Sequence, residues 1–302
     1  MNLSIVLPSY GRPEVLNDCL NSIRVLKKEL KNYSYEIIII NNNNSIALKK
    51  TSDICKRYEK ELNIVELKSK PLGSVGARNK GIKKVRGDIV IFLDDDTLVQ
   101  KDYFINIMNC YKDKRVGAVG GAELKKKGSI FHKLFFKIRK PGSISWSGEI
   151  VSNFSKDFSH KFFVKHLHGS NFSIKKDVLK EIGLMDESMQ GHYRDETEFI
   201  YRVYELGYKI VFEPHARVIH TEASIGGNVS PSKKKDWAYW YHRNTGYFFF
   251  KHLYKGNFFK LIAYFFRELF MGLFRAIIYA NPYFVTEIIR IGEGYKLSKK
   301  SS

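Results

Sequence analysis

The stretch GDIVIFLDDDT, Gly87–Thr97, decides how the rest of the chain is interpreted. Five apolar residues run without a break from Ile89 to Leu93, which predicts a strand buried on both faces, as in a parallel sheet covered by helices. Three carboxylates, Asp94, Asp95 and Asp96, follow at once. Adjacent acids repel one another, so the end of a buried strand is an unfavourable place for them unless they have a function there.

Upstream of this stretch, other predicted strands also end in polar residues. The run LSIVL (3–7) is followed by PSYGR, the strand in YEIIIINNNN ends at Asn41, and NIVEL is a third strand. The segments between these strands have apolar residues at helical spacing. The resulting order, β-α-β-α-β-α-β, predicts an α/β fold with a doubly wound, mostly parallel sheet. Ligands of such sheets bind beyond the carboxyl ends of the strands. The clusters PSYGR, NNNN and DDD should therefore meet at one edge and form the functional site.

Farther along, the pattern changes. Between about residues 117 and 168 the spacing is irregular, which predicts an antiparallel segment and loops. Order returns with a short strand and a helix in HGSNFSIKKDVLKEIGLMDESM, then a helix and a strand in YRDETEFIYRVYELGYKIVFEP. A further short strand, ARVIH, is predicted to end at His220.

Composition limits the classes of protein that this chain can be. It has 302 residues, 44% of them hydrophobic, and a formal charge of +20, which favours an anionic partner such as nucleic acid, anionic lipid or a phosphate-bearing ligand. We expect no nucleic acid as partner, because the basic residues are spread along the chain and no recognised nucleic-acid module occurs. Cys19, Cys55 and Cys110 suit a reducing compartment and give no disulfide or zinc pattern. The first residues, MNLSIVLPSYGR, do not resemble a signal peptide, and no simple membrane span is predicted.

The acidic triplet has the chemistry of a site for a hard divalent cation. Asp94 and Asp96 would share an orientation if strand geometry continued, and carboxylates are the ligands that Mg²⁺ or Mn²⁺ accepts. An ion there would hold a diphosphate and act as a Lewis acid for a departing phosphate. Arg78 and Lys80, in the Gly-rich turn before the strand, would add positive charge. The alternative is a solvated turn or a helix cap.

Six segments in a fixed order resemble the family 2 glycosyltransferases, which have the GT-A nucleotide-diphospho-sugar-binding fold. The resemblance covers about residues 3–250. It implies an inverting transfer of a sugar from a nucleotide-diphospho-sugar to a glycan or lipid-linked acceptor, with Mn²⁺ or Mg²⁺ as cofactor. The segments are SIVLPSYGRPEVLNDCLNSI, EIIIINNNNS, GSVGARNKGI, GDIVIFLDDDT, GSNFSIKKDVLKEIGLMDE and RDETEFIYRVYELGYKIVFEP.

The resemblance also implies roles for individual residues. Asn41 stands where the family has an Asp that recognises the base, which leaves the nucleotide open. Asp94 and Asp96 match the DXD metal residues, and a His at the position of His220 completes the metal site in several family members. The residues matched to the nucleotide sugar are Pro8, Ser9, Tyr10, Arg12, Asn41, Arg78, Asn79, Asp94 and Asp95. Those matched to the sugar and acceptor are Gly169, Ser170 and Asn171.

The catalytic base of the family lies in an ED pair at the start of a helix. The matching residues here are Asp195 and Glu196, in reversed order, and Glu196 occupies the usual second position. One carboxylate suffices in an inverting transfer, because the metal stabilises the leaving group. The alternative is an acidic first helical turn that interacts with the helix dipole. Apart from the resemblance, Trp146 could stack on a sugar ring or simply pack in its loop.

The C-terminal region, 233–302, differs from the expected catalytic domain, 1–232, in being exceptionally aromatic. Its apolar residues recur at intervals of one, three or four, which predicts a broad apolar helical face that lies on an anionic membrane, with Lys251, Lys255, Lys260, Arg267 and Arg275 at its border. The alternatives are a helix pair packed on the catalytic domain or a dimer contact. The apolar face comprises Phe258, Phe259, Ile262, Phe265, Phe266, Leu269, Phe270, Leu273, Phe274 and Ile277.

These features together predict an enzyme at the cytoplasmic face of the cell membrane, attached peripherally. Three alternatives remain open at this stage. A nucleotidyltransferase acting on a sugar phosphate also uses such a fold, but PSYGR lacks its Gly-rich signature and Lys. A basic, non-catalytic nucleic-acid-binding protein is suggested by charge alone, and a degenerate, inactive relative by Asn41 and the reversed acidic pair.

Overall fold

The computed structural model describes residues 1–124, 140–155, 158–189, 191, 193–221, 237–279 and 284–300. The strands are β1 (Leu3–Ser9), β2 (Tyr35–Asn41), β3 (Ile64–Lys68), β4 (Ile89–Leu93), β5 (Thr97–Val99), β6 (Val116–Leu124), β7 (Ser143–Ile144), β8 (Ile150–Val151), β9 (Phe162–Val164), β10 (Asn171–Lys175) and β11 (Lys209–His220). The helices are α1 (Pro13–Val25), α2 (Lys27–Leu30), α3 (Ser45–Tyr58), α4 (Gly73–Ile82), α5 (Tyr103–Cys110), α6 (Lys176–Ile182), α7 (Asp195–Glu205), α8 (Trp237–Phe248), α9 (Phe258–Tyr279) and α10 (Phe284–Lys300), with a π-helical segment, Phe249–Tyr254, after α8.

One large sheet organises the N-terminal part of the chain. Its strand order is β3-β2-β1-β4-β10-β6-β11-β5, and β9 pairs with β11. The first four strands are parallel, as the sequence predicts. Beyond β4 the sheet is mixed, because β10 runs antiparallel to both β4 and β6, while β6 and β11 are parallel. The α/β fold with helices on both faces is therefore confirmed, and antiparallel pairs form its second half.

Alternate residues of the buried strands contribute to different core clusters, as expected for a sheet that is covered on both faces. In β2, Ile37 and Ile39 belong to the core beside α1, α3 and α5, whereas Ile38 and Ile40 belong to the core beside α4, α6 and α7. All four side chains are fully buried. The unbroken apolar runs in the sequence thus correctly indicated two-sided burial.

Strand β6 corrects the expectation of an irregular segment from residue 117. Its sequence, VGAVGGAEL, is poor in large apolar residues, yet all but its last residue are buried. Small residues are required here, because a Cβ on Gly121 would lie 1.7 Å from the carbonyl oxygen of Ala216. The strand signal was weak because close backbone approach took the place of side-chain packing.

The two strands predicted at KIVFEP and ARVIH form the single strand β11. Its pairing with β6 is in register up to Glu213, shifts, and resumes at Val218. Pro214 lies inside this irregularity, where the missing N–H of proline costs no ladder hydrogen bond. The resumed pairing carries the strand to His220, opposite Thr97 of β5.

The C-terminal helices pack on α7 through a third apolar cluster. Phe249 stacks on Tyr264 with ring centroids 3.8 Å apart, and Tyr201 of α7 meets Phe248 edge to face. A charged network lies beneath, in which the fully buried Glu198 accepts from Lys251 and His252. The expected boundary at residue 232 lies outside the described residues.

Three cations predicted at the membrane border have partners on the protein instead. Lys251 pairs with Asp186 and Glu198, Lys255 with Glu205, and Arg267 with Glu268. Lys260 reaches back to the carbonyl of Leu253, and the side chain of Arg275 lies outside the described residues. The apolar face itself is solvent-exposed. Its exposed members are Phe258, Phe259, Ile262, Phe265, Phe266, Leu269, Phe270 and Leu273, whereas the side chains of Phe274 and Ile277 lie outside the described residues.

A search of the described helices for a segment long and apolar enough to cross a membrane found none.

Candidate active site

A cavity of about 310 Å³ opens at the carboxyl ends of β1 and β4, beside the start of α7. Parallel strands bring their ends to this edge, and α4 packs so tightly on β1 that a Cβ on Gly81 would lie 2.6 Å from Val6. The residues that line the cavity are Pro8, Ser9, Tyr10, Arg12, Asn42, Pro71, Gly73, Ser74, Arg78, Asp94, Asp95, His168, Gly169, Ser170, Asp195 and Glu196.

The acidic triplet is neutralised by side chains of the protein itself. Arg12 lies 2.6 Å from Asp95 and 2.7 Å from Asp96, and Arg78 lies 2.7 Å from Asp94. Both arginines are largely buried, so these contacts are charge-assisted hydrogen bonds at low local dielectric. The mutual repulsion expected from the sequence is thus partly offset by these two arginines.

Asp94, Asp96 and His220 form a candidate metal site. One ligand atom of each lies within 4.8 Å of the others, and pairing of β11 with β5 brings His220 to this position. Burial opposes protonation of the imidazole, but Asp96 and Glu123 outweigh it and raise the pKa of His220 to about 10. A cation bound here would displace that proton, because only the neutral imidazole ligates a metal. Two carboxylates and one imidazole form a donor set that suits Mn²⁺. The residues present therefore fit the cofactor that the sequence predicts.

The two candidate bases are held differently. Asp195 is buried and lies 3.5 Å from Arg78, whereas no cation of the described residues pairs with the half-buried Glu196. Burial and the charge of Asp195 raise the pKa of Glu196 above its ordinary range. Helix α7 begins after Arg194, whose φ of 70° is unusual for a non-glycine residue and turns the chain into the cavity wall. Glu196 thus lines the cavity without a paired cation among the described residues, and it has the raised pKa that a general base needs.

Two residues matched to the nucleotide sugar, Asn41 and Asn79, lie outside the cavity wall, because their side chains form hydrogen bonds within the fold. Asn41 is fully buried and its amide donates to Leu48 and Glu66. The side-chain amide of Asn79 is hydrogen-bonded twice to the backbone of Met185: its nitrogen donates to the carbonyl oxygen, and its oxygen accepts from the N–H. These two do not line the cavity, and their contacts to base or diphosphate stay predictions.

Of the three residues matched to the sugar and acceptor, only two line the cavity. Gly169 and Ser170 line the cavity, but Asn171 is buried between Tyr103 and Ala216. Trp146 is 55% exposed in the turn between β7 and β8 and is not part of the cavity wall. Lys80 turns away from the acidic triplet to the carbonyl of Lys68.

Sequence reasoning missed three residues that the fold brings to this site. Asn42 replaces Asn41 at the cavity wall, and its side-chain oxygen accepts from Leu72 and Ser69. His168 lines the opposite wall, and Glu123 lies behind it. Alternation along a strand could have shown that Asn41 and Asn42 face different ways. Glu123 gave no signal, because its strand was not recognised.

A family model described as Glycosyl transferase family 2 matches residues 4–183. The poly-beta-1,6-N-acetyl-D-glucosamine synthase of Staphylococcus epidermidis is 28% identical over 218 residues, which cover 71% of this chain and 48% of that protein. The protein of that name from Staphylococcus aureus (strain COL) is 27% identical over 219 residues, with the same coverage. The chain therefore spans about half the length of the curated relatives that it matches.

Solved structures confirm the fold. GalNAc-T7 with UDP, GalNAc and Mn²⁺ superposes with a TM-score of 0.60 at 19% identity, over 83% of this chain and 50% of that one. The mannosyltransferase PcManGT of Pyrobaculum calidifontis, in complex with GDP-Man and Mn²⁺, gives 0.58 at 15% identity, over 100% and 76%. Both superpositions thus show a shared GT-A type fold.

Proposed function

The chain belongs to glycosyl transferase family 2, and on that premise we propose that it transfers a sugar from a nucleotide-diphospho-sugar to a glycan or lipid-linked acceptor, with inversion. One observation carries the proposal: Asp94, which belongs to the ligand set for a divalent cation, and the carboxylate of Glu196 line the same strand-end cavity. Relatives named as poly-beta-1,6-N-acetyl-D-glucosamine synthases support it. A nucleotidyltransferase is less well supported, because the first strand end, PSYGR, lacks the expected signature.

The residues of the site divide the work of the reaction. Glu196 would take the proton of the acceptor hydroxyl, whose oxygen attacks the anomeric carbon opposite the bond to the diphosphate. Arg12 and Arg78 would exchange their carboxylate partners for diphosphate oxygens, which accept the same charge-assisted hydrogen bonds. Asp94, Asp96 and His220 would hold Mn²⁺ or Mg²⁺, which supplies Lewis-acid stabilisation of the leaving group. Pro8, Ser9, Tyr10 and Asn42 would contact the nucleoside.

Binding of nucleotide sugars with and without metal tests the function. We expect one or a few of a panel of UDP- and GDP-sugars to raise the melting temperature in Mn²⁺, because ligands that bind the folded state stabilise it. Asp96→Asn should abolish the dependence on Mn²⁺ and most turnover while the fold survives. Asp177→Asn, at an exposed position of α6, is the matched control. Wild-type turnover and metal dependence in Asp96→Asn would show that the metal assignment is wrong.

We also propose that α9 attaches the protein peripherally to an anionic membrane, on its cytoplasmic face. Helical geometry at 100° per residue places eight exposed apolar side chains of α9, between Phe258 and Leu273, within an arc of about 140°, and only the exposed Met271 of that stretch lies outside it. Tyr264 and Arg267, on the other side, face the protein. An exposed apolar stripe of this kind on a chain of charge +20 fits the interface of a bilayer with anionic headgroups. On this proposal residues 1–232 form the catalytic domain and 233–302 the membrane-facing region.

A further inference from the structure

Glu123, at the end of β6, is a buried carboxylate on which two histidines converge. It is 4% exposed. Nδ1 of His220 lies 3.2 Å from Oε1, and Nδ1 of His168 lies 3.0 Å from Oε2. The hydroxyl of Ser170 donates to the same Oε2 at 3.3 Å. Glu123 therefore contacts one histidine of the candidate metal set, His220, and one histidine of the cavity wall, His168. Glu123 itself does not line the cavity.

The carboxylate determines how each imidazole is oriented. An ionised carboxylate can only accept hydrogen bonds, so Nδ1 of His220 must carry the proton in this contact. Nε2 of His220 then faces Asp96, at 3.1 Å from Oδ1, which is the side of the metal ligands. Burial opposes ionisation of Glu123, but the two histidines hold its pKa well below the usual range.

The second contact of Glu123, with His168, lies at the part of the cavity wall that is next to the candidate base, Glu196. His168 is followed by Gly169, and a Cβ on that residue would lie 3.5 Å from the carboxyl carbon of Glu196. The hydroxyl of Ser170 also lies 2.8 Å from Nδ1 of His168, so the imidazole, the hydroxyl and Glu123 form one closed set of contacts. The turn that lines the acceptor side of the cavity is thus fastened to the same carboxylate.

We propose that Glu123 is a positioning residue that fixes His220 for metal binding and His168 for the sugar side of the cavity. The inference rests on the proposed function. Partners that hold a metal-bound histidine through its other nitrogen commonly contribute 10- to 100-fold to metal affinity, and a similar loss is expected here. Because one carboxylate serves both histidines, its removal should affect metal binding and turnover together.

Binding of Mn²⁺ alone, followed by electron paramagnetic resonance of the free ion, tests the metal side without turnover. Glu123→Gln should weaken Mn²⁺ binding by about 10- to 100-fold. In a His220→Ala background the same substitution should cost less than about twofold, because the two residues act as one unit. Glu36→Gln is the matched control. Glu36 is also buried and paired, with Arg86 and Ser4, but at the start of β2, so its loss should lower the melting temperature and leave Mn²⁺ binding unchanged.

Turnover at saturating Mn²⁺ and donor tests the contact between Glu123 and His168. His168→Gln should lower kcat and leave Mn²⁺ affinity within about twofold, while Glu123→Gln should lower both. If Glu123→Gln does not fold, Glu123→Asp, whose shorter side chain withdraws the carboxylate, takes its place. Wild-type Mn²⁺ affinity in the folded variant, or an unchanged cost in the His220→Ala background, would overturn the inference alone. Absence of both Mn²⁺ and nucleotide-sugar binding in the wild-type protein would overturn the proposed function with it.

Discussion

At the scale of single residues, the structure separates Asp195 from Glu196. Asp195 is buried and lies 3.5 Å from Arg78, whereas Glu196 lines the cavity wall. Glu196→Gln should therefore lower turnover by about two to four orders of magnitude, the usual contribution of a general base, with donor affinity little changed. Asp195→Asn should have a smaller effect, through the position of Arg78. Donor affinity and kcat of both variants decide this, and an inactive Asp195→Asn beside an active Glu196→Gln would exchange the roles.

The pH dependence of kcat gives an independent check on the same pair. A base works only when deprotonated, and burial together with Asp195 raises the pKa of Glu196. Activity should thus be present above that raised pKa and fall as the pH drops through it, at a higher pH than for an ordinary carboxyl group. Asp195→Asn removes the neighbouring negative charge, so the acid limb should move to lower pH. An acid limb that stays in place in Asp195→Asn would mean that another group titrates.

Two asparagines, Asn41 and Asn79, show how much of the site could be predicted from the sequence. The convergence of polar strand ends follows from parallel topology, so Arg12, Arg78 and the acidic triplet were identified correctly as neighbours. The direction of a single side chain depends on partners that are distant in sequence. Asn41 is directed inward by Glu66, and Asn79 by Met185. Such partners cannot be recognised from a motif.

At the scale of secondary structure elements, β6 is the strand that the sequence concealed. Gly121→Ala should destabilise the protein by about 1–3 kcal/mol, because a Cβ there would collide with the backbone at Ala216, which cannot move freely inside β11. Gly292→Ala in α10 is the matched control. A Cβ meets nothing within 4 Å there, and alanine should stabilise the helix by about 0.5–1 kcal/mol. Urea unfolding of both variants measures the difference, and equal stabilities would contradict the close approach.

The same strand shows why the second half of the sheet was harder to predict. In β1, β2 and β4 burial is achieved by large apolar side chains, which give a strong signal. In β6 it is achieved by backbone contact, and in β11 the strand continues through an irregularity at Pro214. Both features are set by long-range pairing, so the local pattern predicts an irregular segment in place of β6 and two separate strands in place of β11.

At the scale of the whole molecule, the C-terminal helices belong to the catalytic unit as well as to its surface. Glu198, fully buried in α7, is paired with Lys251 and His252 from the π-helical segment, and Asp186 with Lys251. A truncation near residue 232 would remove Lys251 and His252 from these carboxylates and leave Arg202 as the cation paired with Glu198, and loss of partners around a buried charge is destabilising. Loss of vesicle binding after truncation would then report unfolding as readily as loss of a membrane contact.

Point substitutions on the outer face of α9 avoid this difficulty. Phe259, Phe266 and Phe270 are 72%, 69% and 69% exposed, so replacing all three by serine should leave the melting temperature nearly unchanged. Flotation with anionic vesicles should fall at least about tenfold, because each buried aromatic side chain contributes about 1.5–3 kcal/mol. The matched control replaces three exposed apolar residues outside α9, Val25, Ile46 and Leu206, by serine. Binding of the wild-type protein should weaken as salt rises, since part of the attraction is electrostatic. Equal flotation of the two triple variants would place the membrane contact elsewhere on the molecule.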